Sequence, residues 1–347
     1  MLALSGGVDS MCLAYLLAQY KAHVQPRMLV SAITIDHGFR KESATEAQKV
    51  GEIVRSWGLS HSVEKLQYSQ DVHSISNFEE MARVLRYKVF REKCLDQGIN
   101  ALLVAHNRDD QLETFLQRLH MNSTMFGLLG LREKAPLPLM DSSADVEDKI
   151  HVYRPLLQFE KSSIRSTCEA HAVPWFEDVS NQDISLTKRN LLRYIINEYV
   201  PQSMASRPEL ACISRKSLFE TTSEVEKLLN VYDTQKEILD QKIKSQGFFF
   251  DAMQAHMEFT IPLSDFDVLK QPVLARWLYE MIYPISSAKH FHWSYAKLER
   301  QAMPRLWAWL DAPDAILAMT YLNVSFRVQI EDTNVKFHIS RQVPNDK

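Results

Sequence analysis

Six residues, Ser5-Gly6-Gly7-Val8-Asp9-Ser10, stand between an apolar start, Met1-Leu2-Ala3-Leu4, and an apolar run from Met11 to Leu17. The start reads as a short buried strand and the run as the opening turns of a buried helix. The six residues between them are then a glycine-containing turn at a helix N-terminus. Such a turn points successive backbone N–H groups outward, and the helix dipole adds partial positive charge, so it holds an anion without a lysine. Gly6 and Gly7 admit a close approach of the backbone to that anion, and Ser5 and Ser10 add hydroxyl donors. Asp9 is the odd member, because a carboxylate beside a phosphate makes sense only with a cation between them. No Gly-Lys-Ser/Thr follows, which excludes the GxxxxGK[ST] phosphate loop.

The chain has 347 residues, too many for one ordinary core, and two domains are expected. The formal net charge of −3 gives no global pull toward nucleic acid, so any RNA binding must come from local patches. Four scattered cysteines, Cys12, Cys94, Cys168 and Cys212, show no C-x-x-C spacing. They read as buried thiols in a reducing compartment, not as a zinc site, a cluster or a disulfide framework. No apolar run approaches a membrane span, and with the glycine turn beginning at residue 5 no leader is expected. A cytoplasmic location is expected, or a mitochondrial one if the chain is eukaryotic and lacks upstream residues.

Buried strand and helix alternate through the first half. Met28 to Ile35 reads as a strand ending at Asp36-His37-Gly38, and Glu42 to Trp57 as a helix closed by Gly58. Ser62 to Leu66 reads as a short strand. Ser76 with Glu79 forms a capping box for a helix running to Gly98. Leu102 to Ala105 is a buried strand ending at His106. The pattern predicts an α/β fold with a doubly wound, mostly parallel sheet over residues 1–200, in which ligands bind beyond the carboxyl ends of the strands. The clusters Ser5 to Ser10, Asp36-His37 and His106 to Asp110 all fall at such ends. Residues 201–347 read as a mainly helical second domain, and the alternation around Asp332-Thr333-Asn334 predicts a terminal β-hairpin.

His106, Asp109, Asp110 and Glu113 recur at i, i+3, i+4 and i+7, on one side of a helix. Acids in a first turn suit the helix dipole by themselves. Beside a phosphate loop they also suit Mg²⁺, which takes one or two carboxylates plus phosphate oxygens and water, with Asp9 and Asp110 as its ligands. Arg83 and Arg86 lie three apart, either as a solvated face or as a pair aimed at phosphates or a leaving group. Asp36-His37 reads either as a strand-end turn or as a pair touching the adenosine, the metal or an amine nucleophile.

The first motif resembles the SGGxDS pyrophosphate loop of the PP-loop ATP pyrophosphatases, a superfamily with an adenine nucleotide alpha hydrolase-like fold. Beyond it, IDHGFR, FEEMARVLRY, AHNRDDQLET, GLLGL, RPLL and WFEDVSNQD followed by KRNLLR occur in the order found in the tRNA(Ile)-lysidine synthase family. The resemblance spans Ser5 to Arg193, and the WxxDxSNxD…RN block is its most particular part. It implies that ATP adenylates O2 of the wobble cytidine, C34, of tRNA(Ile) with a CAU anticodon. That step releases pyrophosphate, and free lysine then attacks C2 and expels AMP. It further implies ATP on Ser5 to Ser10 and His106, with Mg²⁺ on Asp9 and Asp110. Asp36, Arg86 and Asp110 become the catalytic candidates. Asp178, Ser180, Asn181, Arg189, Asn190 and Arg193 are implied in site closure and RNA contact, their bland reading being a capped loop between helices. A homodimer is left open.

Three departures stand out. Asn107 holds a position where the family usually has a second histidine. Met121-Asn122-Ser123-Thr124 replaces a glycine-rich RGxG turn, although Asn122 tolerates left-handed backbone. The region after Pro201 is short for the family. The rival readings are a tRNA thiolase of the same superfamily, a small-molecule PP-loop synthetase, or a non-catalytic RNA-binding descendant.

Overall fold

A computed structural model describes residues 1–38, 43–68, 78–138, 150–177, 183–184, 187–251, 253–283, 285–286 and 294–342. Contacts divide the chain into two compact units, Met1–Met121 with Leu129–Thr222, and Asn122–Leu128 with Ser223–Lys347. The first unit ends at Thr222.

The first unit is built on six strands: β1 (Leu2–Ala3), β2 (Ser31–Asp36), β3 (Ser60–Lys65), β4 (Ala101–Leu103), β5 (Lys134–Pro136) and β6 (His151–Tyr153). Their order is β3-β2-β1-β4-β6-β5. Every pairing is parallel except that of β5 with β6. The chain winds outward from β1 through β2 to β3, then returns to place β4 on the other flank of β1. This reversal makes a switch point between the carboxyl ends of β1 and β4, where an open α/β sheet leaves a crevice for ligand.

Helices cover both faces because the strand residues alternate. Leu2 and Leu4 pack with Met11, Val50, Val54, Ile164 and Cys168 from α1 (Val8–His23), α2 (Ser43–Ser56) and a later helix, Lys161–Ala170. Met1, Ile33, Leu102 and Val152 face the other way, onto Tyr87, Phe90 and Cys94 of α3 (Phe78–Asp96). Gly98, at φ +63°, closes α3 while Ile99 N–H donates to Cys94 O at 2.7 Å. Its expected capping box at Ser76 lies outside the described residues. The remaining helices are α4 (Arg108–His120), α5 (Met125–Leu128, in the second unit), α6 (Lys161–Ala170), α7 (Lys188–Tyr194) and α8 (Val200–Ser203).

Helix α9 (Arg215–Ser245) begins in the first unit and ends in the second, which adds α10 (Gln271–Ile282), α11 (Ser294–Lys297) and α12 (Met303–Asp311). The expected hairpin is present as β10 (Val324–Glu331) and β11 (Asn334–Arg341), turning at Asp332 with φ +55°. It is not an isolated end, however. With β7 (Phe249–Asp251), β8 (His256–Pro262) and β9 (Leu317–Tyr321) it makes a five-stranded antiparallel sheet, order β7-β8-β11-β10-β9. The reading of this region as mainly helical misses β8, where buried Met257, Phe259 and Ile261 alternate with His256, Glu258 and Thr260. Among the described residues no helix is long and apolar enough to cross a membrane.

Candidate functional site

The glycine turn after β1 takes the form its sequence implies. Gly7 is the N-cap of α1, and Gly6 adopts φ +84°. A Cβ on Gly6 would meet Val50 Cγ2 at 2.9 Å, so both its angle and its surroundings demand glycine. Ser10 Oγ donates to Gly7 O at 3.0 Å and accepts from Ser5 N–H at 3.2 Å, and the Ser5 and Ser10 hydroxyls lie 3.1 Å apart. These bonds fold the turn on itself above the α1 N-terminus, where Val8 is buried.

Asp9 leaves this turn toward the end of β4. Its Oδ1 accepts from Asn107 Nδ2 at 2.9 Å, and its Oδ2 lies 4.0 Å from Lys161 Nζ. Burial raises the Asp9 carboxyl above the usual range, against Lys161 and Asn107 and with repulsion from Asp110 and Asp109. Asn107 is also the N-cap of α4: its Oδ1 accepts from Asp110 N–H at 3.0 Å, while its own N–H donates to Asp110 Oδ2 at 2.9 Å. One asparagine thus touches both expected metal ligands, and the departure from histidine has a structural use. Among the described residues no group of three or more His, Cys, Asp or Glu could hold a metal. Mg²⁺ does not require one when phosphate oxygens and water complete its shell. Two hard carboxylates on one amide, one of them with a raised pKa, fit that ion.

Asp110 also accepts from Arg189 Nη2, and Arg189 Nε donates to Glu113 Oε2 at 2.6 Å. Arg193 Nε donates to Glu113 Oε1 at 2.8 Å. Glu113, with only 4% of its side chain exposed, therefore holds two arginines of α7 against α4. Asn190 is buried between them and donates to Asp183 O at 2.8 Å. Asp109 takes the Lys161 N–H at 2.7 Å and Arg215 from the start of α9. Burial works to raise its carboxyl, and the bonds to Arg215 and Lys161 outweigh this and hold it below the usual range. Sequence reasoning singled out Glu113 only as a face-mate of Asp110 and passed over Lys161 and Arg215.

The remaining candidates surround this centre. Asp36 forms the strand-end turn: Oδ1 accepts from Gly38 N–H at 2.9 Å and Ser43 Oγ at 2.6 Å. His37 Nδ1 lies 3.1 Å from Tyr68 Oη, and burial with Arg86 beside it lowers its pKa. Arg83 and Arg86 sit over the Tyr87 ring, 5.5 and 5.8 Å from its centroid. His106 Nδ1 accepts from Arg154 Nε at 3.3 Å, and burial plus the nearby arginines drive its pKa down to about 3. Asp178, Ser180 and Asn181 lie outside the described residues. Asn122 adopts φ +51°, so the altered turn keeps a left-handed residue, and Arg300 Nη2 donates to Asn122 O at 2.8 Å.

The ATP_bind_3 family model, a PP-loop domain, matches residues 1–200. The chain belongs to the PP-loop family. Its phosphate turn, Asp9 and the switch-point crevice all lie in the matched part. Among PP-loop relatives, a Schizosaccharomyces pombe protein named a probable tRNA(Ile)-lysidine synthase is 33% identical over 206 residues, 57% of this chain and 44% of that one. The tRNA(Ile)-lysidine synthase of Wolbachia pipientis wMel is 35% identical over 201 residues, again 57% and 44%. That of the Wolbachia of Brugia malayi is 29% identical over 300 residues, 85% of this chain and 62% of the relative. The chain thus spans about half the length of the curated relatives it matches.

Proposed function

We propose that this PP-loop protein joins free lysine to C2 of C34 in tRNA(Ile) with a CAU anticodon, splitting ATP to AMP and pyrophosphate. The observation that carries the reading is Asn107 tying Asp9 of the phosphate turn to Asp110 at the adjacent strand end. The names of the relatives supply the substrate.

In this reading the N–H groups of Ser5 to Ser10 cradle the leaving pyrophosphate, and His106 borders the nucleotide. Asp9 and Asp110 would hold Mg²⁺, which when bound neutralises charge building on the phosphates. Arg86, whose guanidinium burial pulls below the usual arginine range, faces the departing AMP as a fixed positive charge. Asp36 spends Oδ1 on its turn, and we assign its carboxylate to receive the amine of lysine. We assign Arg189, Asn190 and Arg193 to site closure, since Glu113 holds both arginines. The second unit and a cytoplasmic setting complete the proposal, with the unit taking the body of the tRNA. Sulfur transfer fits less well, because Cys12, Cys94 and Cys168 are all buried and only Cys212 is exposed.

The test is incorporation of radiolabelled lysine into the tRNA(Ile) transcript with ATP and Mg²⁺. A C34-substituted transcript and a methionine tRNA serve as controls. Label in the cognate transcript alone, with AMP released in step, is expected. Equal labelling of the C34-substituted transcript, or none of any, defeats the proposal.

A further inference from the structure

Phe159 lies in the link from β6 to α6 and is 53% exposed. Its neighbours Leu156 and Leu157 are buried, and the link turns back on itself there. Leu157 N–H donates to Arg154 O at 3.2 Å, and Phe159 N–H donates to Leu156 O at 3.0 Å. From α4, Arg108 N–H donates to Phe159 O at 2.9 Å. The backbone that carries the ring is thus fixed, while the ring itself stands in water. Leaving it there forgoes the stabilisation that burial gives a phenylalanine. Single exposed apolar side chains are common, and what sets this one apart is its place. Among the described residues only Phe249 is a comparably exposed phenylalanine, and its ring packs against His256 with 5.9 Å between centroids. Phe159 has no ring partner among the described residues.

The place is the rim of the candidate site. Asn107, which ties Asp9 to Asp110, immediately precedes Arg108. Two residues beyond Phe159, the Lys161 ammonium lies 4.0 Å from Asp9 Oδ2. The ring therefore rises from backbone that borders the phosphate turn and both expected metal ligands. We propose that Phe159 stacks a base flanking C34 of the tRNA, and so holds the anticodon loop with the reacting cytidine turned into the site. This inference rests on the reading of the chain as a ligase acting at C34.

A base suits this rim better than a phosphate. Single-stranded RNA loops are recognised by splaying their bases onto aromatic side chains. A base next in sequence to a cytidine inside the site must itself lie at the rim. The charge of the chain points the same way. Its net charge is −3, Arg108 and Arg215 both lie beside Glu160, and Lys161 lies beside Asp9, so little positive charge here is free for phosphates. A ring needs none, because every base has a π-face.

The experiment measures binding of the tRNA(Ile) transcript, and separately of ATP with Mg²⁺, to the full chain. Wild type is compared with Phe159→Ala and Phe159→Trp. Phe159→Ala should weaken transcript binding about 5- to 150-fold, the worth of one base stacked on an aromatic ring. The slope of log affinity against log salt should not change, since no phosphate contact is lost. Phe159→Trp should stay within about threefold of wild type, because indole offers the same stacking face. Transcripts abasic at position 33 or 35 identify the base. With one of them Phe159→Ala should cost less than about threefold, the stacked base being already absent. Equal transcript affinity for wild type and Phe159→Ala overturns the proposal. So does an undiminished loss with both abasic transcripts, or an equal loss of ATP affinity, which would give the ring to the nucleotide or to the fold. Those failures leave the ligase reading standing. Wild-type protein that binds ATP but no transcript overturns that reading and this contact with it.

Discussion

Asn107 Nδ2 donates to Asp9 Oδ1 at 2.9 Å, joining residues 98 positions apart at the ends of two neighbouring strands. The same side chain caps α4 through Asp110. An amide suits this double task because it carries an acceptor and a donor on one planar group. It also ranks among the best N-caps.

Replacing Asn107 by alanine should cost about 1–3 kcal/mol, combining the lost cap with a partly buried Asp9 carboxylate oxygen deprived of its donor. Urea unfolding measures the loss, and titration with ATP and Mg²⁺ should show weaker binding. Unchanged nucleotide affinity would mean that the bond does not orient Asp9.

Asp9 predicts a trade of stability against function. Its folded pKa is raised above the unfolded value of 3.8, so the folded form holds this proton more tightly. Stability is therefore lost as pH rises through the folded pKa, and at pH 7 the ionised group is a burden. Asp9→Asn should unfold at higher urea than wild type at pH 7 without nucleotide, and this advantage should fade as pH falls toward 3.8. The variant should also lose the stabilisation that ATP with Mg²⁺ gives the wild type. A variant less stable at pH 7, or still stabilised by the ligand, would contradict this role.

Glu113 should matter more to stability than either of its partners. Glu113→Ala leaves Arg189 and Arg193 without their shared acceptor and should cost about 2–4 kcal/mol by chemical denaturation. Arg189→Ala should cost less, because the Arg189 side chain is 43% exposed and Arg193 still covers Glu113. The salt dependence of tRNA affinity should be nearly unchanged in Arg189→Ala. A slope reduced by about one unit would reveal a phosphate contact there instead.

His61 should limit acid stability. Burial, with Arg55 adding repulsion, lowers its pKa from 6.5 to about 4, and its buried Nδ1 has no hydrogen-bond partner among the described residues. The unfolded chain takes up this proton first, so its contribution is complete above pH 6.5 and lost as pH falls toward 4. The wild-type urea midpoint should fall across that window. His61→Gln, which still reaches Thr34, should flatten the fall, and an equally steep fall would assign it to other groups.

Much of the site was legible because its parts are local. The turn from Ser5 to Ser10 and the helix opening at Arg108 each announce themselves by residue type and spacing, and the sheet order brings their ends together. Pairings between distant segments were not legible. Nothing in the spacing of Glu113, Arg189 and Arg193 says that an acid of α4 meets arginines of α7, because long side chains choose partners only after the backbone is placed. Arg154 was hidden in RPLL for the same reason: its burial follows from β6 lying beside β4. In the second unit the signal for β8 was present in His256 to Pro262, but seven alternating residues were overshadowed by the long helical pattern before them.

The measurement that bears most directly on the proposed activity is the identity of the nucleoside at position 34 after reaction. The protein is incubated with tRNA(Ile) transcript, ATP, Mg²⁺ and lysine, and the digested RNA is read by mass spectrometry. The account predicts lysidine in place of cytidine at that position, one for each AMP released. Unchanged cytidine from a protein that binds ATP and the transcript, or a sulfur-bearing nucleoside there, would contradict it.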